Sequence, residues 1–304
     1  MVRPPISDIR CAIRRALQED LPSDDATTTA LFPSPVPALA RIVAQQSLVV
    51  AGLAAAVRTF QAVDASLVLS VHRQDGERAH NGDCLLQVDG DGRSILKAER
   101  VALNFLQHLS GIATLTHRFC DAVRGYPVTI LDTRKTLPGL RALQKWAVLL
   151  GGGTNHRGSL SDGILIKDNH LALLNRATAS VTTACRKAKA NAARMGNVIV
   201  EVESLADVRH ALTGQADVIL LDNMTPATVR QAVRLIKGRA LVEVSGGINL
   251  KNVREMAAAG PDRISIGALT HSAPAATLSL VLEPSRRLRT PSRLQKLNDG
   301  TRER

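Results

Sequence analysis

Between residues 128 and 267 the sequence carries six short apolar runs, each ending in a polar residue or a glycine. They are VTILDT (128–133), ILIKD (164–168), VIVEVE (198–203), VILLD (218–222), LVEVS (241–245) and ISIG (264–267). Helical patterns lie between most of them, including LADVRHAL (205–212), PATVRQAVRLIKG (226–238) and LKNVREMAAAG (250–260). The last two stop at a glycine, which can enter the left-handed backbone that ends a helix. Positions 201, 222, 245 and 267 recur at spacings of 21, 23 and 22, the length of one strand–helix unit. Near-continuous Val, Ile and Leu is what a parallel strand needs when helices cover both of its faces. The runs therefore predict parallel strands with helical crossovers.

An α/β barrel and an open doubly wound sheet both satisfy that pattern, and the polar residues separate them. Each run holds its chemistry at the C-terminal end: Arg134 and Lys135, Lys167, Glu201, Asp222, then Ser245, Gly246 and Gly247, then Gly267. In a barrel these ends converge on one mouth. Six equivalent ends of an open sheet would not all meet. The reading is an α/β barrel with six strands, incomplete against the usual eight. Before Tyr126 the texture is α+β: a helix over 6–19, an irregular stretch over 21–37, strands within 39–50, 67–72 and 84–88, and helices over 52–62 and 98–123. At 304 residues the chain divides into a first domain over 1–112, joined by the C-terminal segment 272–304, and a barrel domain over 113–271.

Lys and Arg number 39 against 27 Asp and Glu, a net charge of +12, which calls for anionic partners. Residues 285–304 hold seven basic residues against two acidic, interleaved with Ser, Thr, Pro, Asn and Gly, and read as a solvated end. Residues 133–170 hold six against two, and there the basic residues sit on strand ends and glycine-rich turns. His156 and Arg157 follow the turn Gly151-Gly152-Gly153, which could also simply end a helix over 139–150. Aromatics make up only 2 %, too few for the stacking platforms of single-strand nucleic-acid binders. No phosphate-binding G-x-x-x-x-G-K-[ST] and no strand-borne G-x-G-x-x-G is present. Glycines at two successive strand ends instead suggest a barrel phosphate site, aided by the helix starts that follow. Glu201 and Asp222 end neighbouring strands, with Glu203 on the face of Glu201. Such carboxylates suit Mg2+ or ribose hydroxyls, or ion pairs with nearby Lys and Arg. Four scattered cysteines, no signal peptide and no long apolar run predict a reduced, cytoplasmic chain without membrane or nucleic-acid partners.

The string LDTRKTLPGLRALQKWAVLLGGGTNHR (131–157), with SDGILIKDNHL (161–171), closely resembles the core signature of the quinolinate phosphoribosyltransferases. ILKAERVALNFLQHLSGIATLT (95–116) is similar to that family's inter-domain segment, and VEVESL, LLDNM, EVSGGI and ISIGALTHSA follow in the family's order over roughly residues 6–280. The resemblance implies an N-terminal α/β sandwich domain, an incomplete six-strand barrel, and a homodimer in which one subunit's first domain covers the other's barrel mouth. It implies that Arg100 crosses that interface, and that Thr133, Arg134, Lys135, His156, Arg157 and Lys167 hold quinolinate and pyrophosphate. It assigns Glu201 and Asp222 to the ribose and Mg2+, with Lys135 beside them in catalysis. Ser245, Gly246, Gly247, Ser265, Ile266 and Gly267 fall to the 5-phosphate loop, with His271 nearby. Two departures stand out: Gly158-Ser159 replaces an apolar residue followed by glycine, and LPSDDATT (21–28) lacks a glycine before its aspartate. The implied activity is phosphoribosyl transfer from phosphoribosyl pyrophosphate to quinolinate with decarboxylation, a step of NAD synthesis.

Overall fold

The computed structural model describes residues 4–174, 180–191 and 196–285, and the basic end after Ser285 lies outside them. The chain forms two compact units, one from Pro4–Gly111 with the segment from Ala275, the other from Ile112–Pro274.

The first unit opens with α1 (Ile6–Asp20) and α2 (Ala26–Leu31). The stretch expected to be irregular thus contains a helical turn. Its cause is local: the Asp25 carboxylate accepts from the backbone N–H of Thr27 and Thr28 at 3.0 and 3.1 Å and caps the helix. There follow β1 (Pro37–Ala44), β2 (Leu48–Val49), α3 (Leu53–Val63), β3 (Val68–Val71), β4 (Arg78–Ala79), β5 (Cys84–Asp91) and the long α4 (Gly92–Ala122). β1 alternates half-buried and buried residues along its length, so Ala38, Ala40, Ile42 and Ala44 enter the core. Phe60 of α3 and Ile95 and Leu106 of α4 meet them there. The last strand of the chain, β12 (Leu278–Pro284), returns to pair antiparallel with β1 in a sheet ordered β12-β1-β5-β3. Leu278, Leu280 and Leu282 alternate with Ser279, Val281 and Glu283, a period-two signal of this strand that the sequence reading missed, and the three leucines pack on the core. Its place comes from the exposed edge that β1 would otherwise leave.

The second unit alternates strand and helix: β6 (Thr129–Leu131), α5 (Arg141–Leu150), β7 (Ile164–Ile166), α6 (Asp168–Leu173), α7 (Val181–Asn191) and β8 (Val198–Val202). It continues with α8 (Leu205–Thr213), β9 (Val218–Asp222), α9 (Pro226–Ile236), β10 (Leu241–Ser245), α10 (Val253–Ala258), β11 (Arg263–Ser265) and α11 (Ala268–His271). The six strands are parallel in the order β6-β11-β10-β9-β8-β7, and β6 does not pair with β7 among the described residues. This is the expected incomplete barrel, left open between its first two strands. Period-two geometry then sorts the side chains. Leu165, Ile199, Val218 and Leu220 form one apolar cluster, and Lys167, Glu201 and Asp222 follow two residues later on the same faces. The apolar layer therefore presents the charged one at the strand ends.

Helix α5 must stop hard against α4. A Cβ on Gly151 would lie 2.4 Å from the carbonyl oxygen of Ala113 and 2.7 Å from Cβ of Thr116. The glycine run is thus a contact requirement as well as a stop signal. Gly151→Ala should lower stability by about 1–3 kcal/mol, because the clash is with backbone. Urea unfolding checks this, and an unchanged midpoint would contradict the tight helix contact.

Candidate active site

The end of β6 runs directly into Asp132, Thr133, Arg134 and Lys135. Thr133 Oγ1 accepts from the Lys135 amide at 3.0 Å, which turns the chain at that point. The Arg134 Nε is buried without a hydrogen-bond partner. Arg157 lies close enough to feel it: burial first, then the charge of Arg134, pulls the Arg157 guanidinium below its ordinary pKa, while Asp162 opposes the shift. Two guanidinium groups held together and partly dried are unfavourable unless an anion joins them.

On the neighbouring strand ends the glycines are shaped by close approach. Gly246 adopts φ +91°, and a Cβ there would come within 2.2 Å of Asn223 Oδ1 and 2.8 Å of the Asn223 amide nitrogen. The Gly247 carbonyl accepts from Asn249 Nδ2 at 3.2 Å and from Asn252 Nδ2 at 3.0 Å. A Cβ on Gly267 would stand 3.1 Å from both Lys135 Cδ and His271 Nε2. Lys135, Gly267 and His271 are therefore side by side, with the Thr270 hydroxyl donating to the Lys135 carbonyl at 2.8 Å. Ser265 and Ile266 are buried just before this turn. The helix starts expected behind these loops contribute less than the sequence suggests. α10 begins only at Val253, and α11 is a single turn.

Across the mouth, Asp222 and Ser245 are register partners on β9 and β10 and so face the same side. Lys167 Nζ donates to Glu201 Oε2 at 2.5 Å. Asn223 Nδ2 donates to Asp222 Oδ2 at 2.7 Å. Glu201 is thus ion-paired with Lys167, which is compatible with a metal or ribose role because an empty site needs that pairing. Glu203 lies beyond the strand end and is exposed. Glu201 and Asp222 supply two carboxylates, and no cluster of three or more metal-ligating side chains occurs among the described residues. Such a set fits Mg2+ that arrives already coordinated by phosphate oxygens, and does not fit a stand-alone metal cage.

A buried pair that the sequence did not single out holds the turn from Thr154 to Arg157. Asp132 is fully buried, and Lys145 of α5 nearly so. Lys145 Nζ donates to Asp132 Oδ1 at 2.5 Å and to the His156 carbonyl at 2.9 Å. Asn155 Nδ2 donates to Asp132 Oδ2 at 2.6 Å, and the His156 amide donates to Asp132 Oδ1 at 2.8 Å. Burial pushes the Asp132 carboxyl up and the Lys145 ammonium down from their ordinary pKa values, and the contact between them opposes both shifts. The departure at Gly158-Ser159 is accommodated by the same neighbourhood. Asp162 Oδ2 accepts from the Gly158 amide at 2.8 Å, and Arg141 Nη1 donates to the Gly158 carbonyl at 3.0 Å. Arg100 belongs to the other unit, where it is exposed on α4.

Converging strand ends, a glycine cradle and the adjacent guanidinium groups of Arg134 and Arg157 mark a candidate anion site of an α/β barrel. Comparison with known proteins then gives the family. The quinolinate phosphoribosyl transferase N-terminal domain matches residues 25–110, and the C-terminal domain matches residues 112–281. The chain is 40 % identical over 262 residues to a probable nicotinate-nucleotide pyrophosphorylase (carboxylating) of Bacillus subtilis, covering 86 % of this chain and 89 % of that protein. It is 39 % identical over 302 residues to quinolinate phosphoribosyltransferase (decarboxylating) 1b of Nicotiana tabacum, covering 93 % and 85 %. Among solved structures, NadC from Streptococcus pyogenes superposes with a TM-score of 0.87 at 40 % identity, covering 94 % of this chain and all of that one. The chain belongs to the quinolinate phosphoribosyltransferase family.

Lys145→Met would leave Asp132 buried with its charge uncompensated. The expected cost is about 3–5 kcal/mol of unfolding free energy. Thermal and urea unfolding measure it, and a loss below about 1 kcal/mol would show that the pair does not anchor the turn.

Proposed function

We propose that this chain transfers the phosphoribosyl group of phosphoribosyl pyrophosphate to quinolinate with loss of carbon dioxide, giving nicotinate mononucleotide and pyrophosphate for NAD synthesis. The observation that carries this reading is the buried, unpartnered Nε of Arg134 beside Arg157. A pyridine dicarboxylate brings the negative charge that this pair lacks, and guanidinium forks bind carboxylates bidentately. His156 and Lys167 complete that side of the mouth. Thr133 and Lys135 face the pyrophosphate, while Ser245, Gly246, Gly247 and the Ser265-Ile266-Gly267 turn, with His271, take the 5-phosphate.

The pyridine nitrogen attacks the anomeric carbon as the bond to the pyrophosphate oxygen breaks, through an oxocarbenium-like state. Glu201 and Asp222 lie where their negative charge stabilises the positive charge that develops on the ribose. Lys135 stabilises the charge leaving with pyrophosphate. Mg2+, when bound with the pyrophosphate, adds Lewis-acid stabilisation of those oxygens, with Glu201 and Asp222 as its protein-side ligands. The bond from C2 to its carboxylate then breaks, its electrons remain on C2, and a proton from solvent completes nicotinate mononucleotide. No nucleophilic side chain is required, so positioning and electrostatics account for the catalysis.

We further propose a cytoplasmic homodimer in which Arg100 of each subunit completes the other's site. No helix among the described residues is long and apolar enough to cross a membrane. Mixing tests the shared site. Arg134→Ala and Arg100→Ala chains should each lose most turnover of quinolinate while keeping their folded far-ultraviolet spectrum. Co-refolded together, they should regain about a quarter of wild-type activity, since half the dimers are mixed and each has one intact site. An active Arg134→Ala enzyme would sink the substrate assignment, and no recovery on mixing would sink the shared site.

A further inference from the structure

The hydrogen bonds around His156 leave its ring little freedom. Its backbone amide and carbonyl are held by Asp132 and Lys145 as described. In the ring, Nδ1 accepts from the backbone N–H of Arg157 at 2.7 Å. An acceptor nitrogen carries the lone pair, so the ring proton resides on Nε2. Nε2 faces Glu243 Oε1 at 3.3 Å. Each ring nitrogen therefore has a partner within the chain.

Glu243 is the unusual member of this group. It is fully buried in the middle of β10, inside a run otherwise made of Leu and Val. Its Oε1 accepts from the Ser265 hydroxyl, and its Oε2 is buried without a hydrogen-bond partner. An idle buried carboxylate oxygen costs about 1–3 kcal/mol or more, and an apolar side chain would fill the space without that cost. Glu243 also shares a face with Ser245 two residues on, so it lies one layer beneath the glycine cradle. A negative charge there opposes the binding of a polyanion. Neither packing nor charge balance explains a glutamate at this position. What it does supply is a carboxylate oxygen 3.3 Å from His156 Nε2.

We propose that Glu243 is a positioning residue. By fixing His156 in the Nε2-protonated tautomer it keeps Nδ1 free to hold the Arg157 amide, and so sets the guanidinium of Arg157 against the pyridine carboxylate. The logic is that of a carboxylate that orients an imidazole, with a backbone amide in place of a metal or nucleophile at the far nitrogen. The kinetic consequence rests on the substrate reading given above; the state of the ring does not.

The test reads both. In long-range 1H–15N spectra of the full-length enzyme, the neutral wild-type His156 ring should be a single Nε2–H tautomer. Glu243→Leu should mix the tautomers and raise KM for quinolinate about tenfold or more, with kcat within about threefold. Glu243→Gln keeps an acceptor oxygen at the Oε1 position, and should retain the tautomer and hold KM within about threefold. A wild-type ring that samples both tautomers overturns the proposal even if Glu243→Leu does not fold. So does a Glu243→Leu enzyme with unchanged ring and KM, or a Glu243→Gln enzyme as impaired as an apolar one. If instead Arg157→Ala leaves KM for quinolinate unchanged while the ring behaves as stated, the substrate reading fails and the role of Glu243 in fixing the ring stands.

Discussion

The site hangs from one buried ion pair. Asp132 sits at the end of β6 and Lys145 in α5, and between them they tie strand, helix and the 154–157 turn into one unit. Burying both charges is expensive, and three donors on the one carboxylate are what make the arrangement tenable. The parallel bridge between Leu131 and Thr154 continues the same connection through the backbone. The pair is buried, whereas Arg134 and Arg157 are half-buried. Its charges cancel, so it can stiffen the cations Arg134 and Arg157 without competing for the ligand they await.

The parts of this arrangement legible in the sequence are those with a periodic or terminal signature. Doubly covered strands produce continuous apolar runs, and chemistry at a barrel mouth must fall at their C-terminal ends. Lys167, Glu201, Asp222 and Ser245 could therefore be placed from pattern alone. Glu243 and Asp132 could not. Each is a single carboxylate inside or just after an apolar run, and nothing in the chain order shows that Glu243 meets His156 or that Asp132 meets Lys145 of α5. Such contacts are tertiary, between residues 13 to 87 positions apart in sequence. Asn223, Asn249 and Asn252 escaped notice for the same reason, since they support the glycine cradle from behind. The helix α2 was hidden for a different reason. Its six residues, ATTTAL, are flanked on both sides by turn formers that mask them, and the Asp25 cap starts the helix.

The glycines illustrate how one residue type serves two demands. Gly246 must accept a positive φ and also let the Asn223 backbone approach. Gly151 has an ordinary helical φ, and is required only because α4 is so near. A glycine count would treat these alike, whereas the contacts separate a ligand-facing turn from a packing contact. The charge balance divides similarly. The +12 of the whole chain says little, while the unpartnered Nε of Arg134 and its neighbour Arg157 mark where the proposed dicarboxylate substrate would be held.

A direct comparison of two acceptors tests the central claim. The purified chain would be incubated with phosphoribosyl pyrophosphate, Mg2+ and either quinolinate or nicotinate, following mononucleotide, pyrophosphate and carbon dioxide together. The account predicts that quinolinate is consumed with equimolar release of carbon dioxide and pyrophosphate, and that nicotinate, with one carboxylate fewer for the Arg134 and Arg157 pair, is turned over far more slowly. Preferential use of nicotinate, or mononucleotide formation from quinolinate without carbon dioxide, would contradict it.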